Sequence, residues 1–82
     1  MDSISKEAIR KAWCVEIGDK IAKARNARQL SQAQLANMAE IPQSHLARIE
    51  KGDLNPTIGT IGLILSTIGM TIDIVSPKLS KN

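Results

Sequence analysis

Residues 30–52 read LSQAQLANMAEIPQSHLARIEKG, and the punctuation within this stretch decides the fold. Ser31 and Gln34 have the S-x-x-Q spacing of a capping box. There the hydroxyl accepts a bond from the backbone three residues on, and the glutamine returns one to the cap. A helix therefore opens after Ser31, and Leu35, Ala36 and Ala39 form its buried side. Glu40-Ile41-Pro42 is a short turn, and Pro42 suits the first turn of a new helix, where no backbone donor is needed. That helix runs from about Pro42 to Lys51, with Leu46 and Ile49 inward. Gly52 stands where a left-handed C-cap is favoured.

Upstream, Ser5 can cap a helix beginning at Lys6, with Glu7 near the positive end of its dipole. Ala8, Ile9, Ala12, Trp13, Ile17, Ile21 and Ala24 carry apolar side chains at helical spacing. Residues 6–28 are one long helix or two, with a break near Gly18 in the second case. Downstream, residues 53–56 form a turn and Thr57 caps a helix over 58–68, whose apolar stripe is Ile58, Ile61, Ile64, Leu65 and Ile68. Gly62 within it suggests a close helix approach. After Gly69 the pattern alternates, with Met70, Ile72 and Ile74 on one face, which predicts a strand over 70–76 that ends before Pro77.

The 82 residues amount to one domain, with 43% hydrophobic and 23% charged residues. A chain this short buries a modest share of its surface, so association would stabilise it. With one Trp and no Phe or Tyr, it lacks the stacking platforms that bind single-stranded nucleic acid. The net charge of +3 leans towards polyanions. Lys6, Arg10, Lys11, Lys20, Lys23 and Arg28 read mostly as a solvated face. A single cysteine, Cys14, excludes an internal disulfide, suits a reducing compartment and reads as a core thiol; Trp13 reads as a packing anchor. No apolar run approaches a membrane span and Met1-Asp2-Ser3 does not open a secretory signal, so a cytoplasmic protein is expected. His45 has no second histidine and no neighbouring cysteine to share a metal. No nucleophile–base pair or phosphate loop is present, so neither an enzyme nor a cofactor is expected.

The segments 30–36, 42–52 and Asn55-Pro56-Thr57, with the upstream Ile17-Gly18-Asp19-Lys20-Ile21 and Arg25, resemble the Xre family and its lambda-repressor-like domain. The resemblance covers roughly residues 15–70. It implies a mainly α-helical bundle of four to five helices that binds operator DNA, the second helix of the central pair lying in the major groove. By the same resemblance Gln32 contacts a phosphate, and Gln43, Ser44 and Arg48 read bases. Their chemistry agrees, since an amide pairs with adenine and a guanidinium with guanine. His45, Lys51 and Asn55 are expected on the DNA backbone, and Arg25 with Glu50 as a structural ion pair. The family usually has glycine where this chain has Glu40, and a left-handed residue other than glycine costs about 1–2 kcal/mol.

A lone strand over 70–76 has no mate elsewhere in the chain, so its simplest partner is the same strand of a second copy, antiparallel across a two-fold axis. Met70, Ile72 and Ile74 are the dimerisation residues in this reading. The strand makes the chain similar to HipB-type antitoxins, which implies a homodimeric repressor of its own operon that binds an inverted-repeat operator and a toxin. A stand-alone phage-type repressor or restriction-modification controller, and an interaction module without DNA binding, are the alternatives. The expected organisation is a helical extension over 1–14, the DNA-binding domain over 15–69, a dimerisation strand over 70–76 and a tail over 77–82.

Overall fold

Ser5, Ser31 and Thr57 each lend a hydroxyl to an otherwise unpaired backbone N–H, and three helices start where they do so. A computed structural model of the chain describes residues 5–73. The N–H groups of Ala8, Gln34 and Thr60 donate to these three side chains at 3.0, 3.0 and 3.1 Å. At Ser31 the box closes, its own N–H donating to Gln34 Oε1 at 2.8 Å. The helices are α1 (Lys6–Ala27), α2 (Gln32–Ala39), α3 (Gln43–Lys51) and α4 (Ile58–Thr67).

All four helices end in the same way. The residue one or two beyond the last helical turn adopts a positive φ: Gln29 at 58°, Glu40 at 59°, Gly52 at 78° and Gly69 at 76°. The next N–H then reaches back to a carbonyl five residues earlier: Leu30 to Arg25, Ile41 to Ala36, Asp53 to Arg48 and Met70 to Leu65. This satisfies carbonyls that the helix leaves free. Glu40 therefore does take the left-handed conformation that usually calls for glycine.

The core is aliphatic. Ile21, Leu35, Leu46, Ile49 and Ile64 are fully buried, each contributing about 1.5–3 kcal/mol of transfer free energy. α3 packs on α1 and α2, and α2 also packs on α4.

Several expectations need correction. Residues 6–27 form a single helix with no break at Gly18. Gly18 serves contact instead: a Cβ there would run into the Ile49 carbonyl oxygen and lie 2.9 Å from that of Glu50. The close approach expected at Gly62 is absent, since a Cβ there would meet nothing within 4 Å. Ile58, placed on the buried stripe by its spacing, is 74% exposed because it occupies the outward side of the first turn of α4. Trp13 is 65% exposed and Cys14 half-buried; both sit where α1 extends past the core. No strand occurs among the described residues. Met70–Asp73 have no backbone ladder in a single chain, and the remainder of the expected strand, with Ile74, lies outside the described residues.

Candidate nucleic-acid interface

The residues singled out by sequence divide between two places on α3. Gln43, Ser44, Arg48 and Lys51 are exposed, whereas Leu46 and Ile49 are buried. On a helix of 3.6 residues per turn these four project to one side, opposite the buried pair. The side chains of Gln43 and Ser44 make no hydrogen bond among the described residues. Arg48 makes only a long contact of 3.5 Å from Nη2 to the Asp53 carbonyl. Their donors and acceptors are thus free for an outside partner. Lys51 is the last residue of α3 rather than a residue beyond it.

Another side of the last turn, at Glu50, is tied down. Arg25 Nε donates to Glu50 Oε2 at 2.8 Å and Nη2 to Oε1 at 3.0 Å, a bidentate pair with side chains only 12% and 5% exposed. The same guanidinium donates from Nη1 to the Leu30 carbonyl at 2.8 Å, fixing the loop that leads into α2. The hydrogen bond to Glu50 raises the Arg25 pKa above its ordinary value, against an opposing contribution from burial. Arg25 therefore stays charged at any physiological pH.

Gln32 joins this pair, its Nε2 donating to Glu50 Oε1 at 2.9 Å. Sequence reasoning placed Gln32 on a phosphate and missed this bond, because residues 18 apart meet only through the tertiary fold. The amide keeps a second N–H. Lys11 was missed as well. Its Nζ donates to the Gly52 carbonyl at 2.7 Å and lies 3.3 Å from Asp53 Oδ1, a cation at the negative end of α3. The other cations of α1 behave as a solvated face: Arg10 pairs with Glu7, Lys20 with Glu16 and Lys23 with Asp19. The bond to Asp19 raises the Lys23 pKa.

His45 is half-buried on the flank of α3. Asn55 is exposed, but the structure brings it to Cys14, whose thiol lies 3.8 Å from Asn55 Oδ1, rather than into contact with the α3 stripe. No group of three or more potential metal ligands occurs among the described residues. None of the described helices is long and apolar enough to cross a membrane.

A capped helix, a short turn and a second helix with an outward polar stripe make a helix-turn-helix. Comparison with known proteins identifies the family: residues 21–75 match the model described as Helix-turn-helix, and the chain belongs to that family. It is 32% identical over 59 residues to the immunity repressor protein of Bacillus phage phi105, covering 72% of this chain and 41% of the phage protein. It is 42% identical over 53 residues to an uncharacterized HTH-type transcriptional regulator from Haemophilus influenzae, covering 65% and 53% respectively. The chain thus spans about half the length of these relatives. A toxin-antitoxin module from Streptococcus pneumoniae has a similar structure, with a TM-score of 0.67 and 32% identity over 89% of this chain and 81% of that one.

Proposed function

We propose that the chain is a sequence-specific transcriptional repressor that binds an inverted-repeat operator as a homodimer and serves as the antitoxin of a toxin-antitoxin pair. The observation that carries the DNA reading is the exposed stripe on α3, where Gln43, Ser44, Arg48 and Lys51 lie together without strong bonds of their own. Gln43 and Arg48 supply the amide and guanidinium that discriminate adenine and guanine in the major groove. Gln32, oriented by Glu50, directs its remaining N–H to a phosphate, and His45, Lys51 and Asn55 approach the DNA backbone. The Arg25–Glu50 pair holds the reading helix and takes no part in reading.

The homodimer rests on the C-terminal segment. Met70 and Ile72 are partly exposed, and 70–76 would gain its ladder by antiparallel pairing with a second copy. Two copies set half-sites about 10 base pairs apart, or a multiple of that. The antitoxin assignment is supported by the Streptococcus pneumoniae neighbour, which matches over most of both chains. The phage relative favours a stand-alone repressor, but over 41% of its own length. A protein of this function works beside its DNA, in the cytoplasm.

The test is a gel shift on the promoter of the protein's own gene, with the salt dependence measured. Expected is a sequence-specific complex whose affinity falls steeply with salt through counterion release. Equal binding to unrelated duplexes overturns sequence-specific repression. The adjacent open reading frame decides the toxin: co-expression must yield a complex with its product, and a freely separating product removes the antitoxin reading. Truncation after Gly69 should leave a monomer in sedimentation; an unchanged oligomer removes the strand pairing.

A further inference from the structure

Asp53, just past the end of α3, has two cations for neighbours. Lys11 Nζ lies 3.3 Å from its Oδ1 and donates to the preceding Gly52 carbonyl at 2.7 Å. Arg48 Nη2 lies 3.5 Å from the Asp53 carbonyl oxygen. The Asp53 N–H in turn donates to the Arg48 carbonyl at 3.0 Å, so the two residues stay side by side wherever α3 is formed. Lys11 comes to this place because α1 is unbroken. It lies about two turns before Gly18 and so shares the face of α1 that Gly18 presses against the α3 carbonyls. The side chains of Lys11 and Asp53 are half-exposed, 57% and 50%, as a contact beside a DNA-facing stripe would be.

We propose that Lys11 is a positioning residue for base reading: by holding the Asp53 carboxylate it leaves the Arg48 guanidinium free for a guanine edge. The inference rests on the base-reading role given to Arg48 above. A guanidinium forks onto a carboxylate much as it does onto guanine, so Asp53 and a base edge are rivals for the same donors. Rotation about the Cα–Cβ bond of Asp53 redirects its carboxylate while the backbone stays as it is. Among the described residues that carboxylate bonds to Lys11, and Arg48 touches only the carbonyl. Lys11 also offsets the repulsion between Asp53 and phosphates, but that contribution is the same on every sequence. Discrimination between bases is what the proposal concerns. Lys11 lies outside residues 21–75, so the role falls to a part of α1 that the family match does not cover.

The test uses the full chain, a duplex of the protein's own promoter and the single base-pair substitutions of that duplex. The pair at which Arg48→Ala loses preference marks the base that Arg48 reads. Discrimination there, the ratio of affinities for the parent and the substituted duplex, is then measured for Lys11→Met and for Lys11→Met with Asp53→Asn. Methionine keeps the helix propensity of lysine and removes its charge. Expected is a fall in discrimination of about two- to fivefold in Lys11→Met, the range that exposed ion pairs give, and a return to the parent value once Asp53→Asn is added. The bond to the Gly52 carbonyl is missing from both variants, so a merely structural role of Lys11 would leave them alike. Unchanged discrimination in Lys11→Met, or a loss that Asp53→Asn does not restore, overturns the proposal while the reading role of Arg48 stands. Loss of helical circular dichroism in Lys11→Met makes Lys11 a structural residue and overturns it too. If Arg48→Ala loses preference at no base pair, the reading role fails and the inference falls with it.

Discussion

The two ends of α3 are held very differently. Its C-terminal end is fastened by Gly18 against the Ile49 and Glu50 carbonyls, by the Arg25–Glu50–Gln32 cluster and by Lys11 on the Gly52 carbonyl. Its N-terminal end begins at Pro42 without a side-chain cap, and Gln43 and Ser44 stand exposed. The contrast shows how a small domain presents a reading helix. Bonds within the protein are concentrated where they fix the angle of the helix, and polar groups at the other end stay free, so a duplex need not compete for them.

The comparison breaks most severely at Glu50. Glu50→Ala leaves the Arg25 guanidinium buried without its carboxylate, and stability should fall by about 3–5 kcal/mol in urea unfolding. A loss below about 1 kcal/mol would show the pair to be solvated and the anchored end a misreading. The pH dependence has a definite sign. A guanidinium whose folded pKa is raised contributes fully below its ordinary value and loses that contribution only as pH climbs through the folded value. The Arg25 side of the anchor should therefore not titrate across the neutral range. Gly18→Ala strikes the same end by steric means, and should cost about 3 kcal/mol, because the obstacle is backbone carbonyl rather than a flexible side chain.

Arg48→Ala probes the exposed stripe, which reaches into the last turn of the helix. It should weaken operator binding by about 1–3 kcal/mol and relax preference at one base pair, with stability unchanged to within about 0.5 kcal/mol. Equal weakening on all sequences would reassign Arg48 to a phosphate.

What was legible in the sequence was local. The hydroxyl caps, the Ser31–Gln34 box and Gly52 depend on neighbours within a turn, and the structure has all of them. The free stripe was legible too, because Leu46 and Ile49 fix which side of α3 faces in. The anchored end was legible only in part. The Arg25–Glu50 pair came through family resemblance, but the bond from Gln32 and the contact of Lys11 with α3 join residues far apart in the chain. Gly18 misled for the same reason: within its own helix a glycine reads as a weak point, and only the carbonyls of α3 explain it. Alternation over 70–76 predicts a strand, but Met70–Asp73 form none, because alternation marks a face and does not supply the second backbone that a ladder needs.

The smallest effect concerns the turn that joins the two helices. All four helix ends carry a left-handed residue, yet two use glycine and two, Gln29 and Glu40, do not. The 6→1 bond from Ile41 to the Ala36 carbonyl, at 3.0 Å, holds Glu40 in place despite its Cβ, so the turn geometry survives a residue that local rules disfavour. Glu40 also sets a negative charge at the negative end of α2. Glu40→Gly removes both penalties while making the unfolded chain freer, and the balance should be a gain of about 0.5–1 kcal/mol. Operator affinity should not fall, since φ at this position need not change. A loss of stability would mean that the glutamate is not strained, and the four helix ends would then be equivalent whatever residue occupies them.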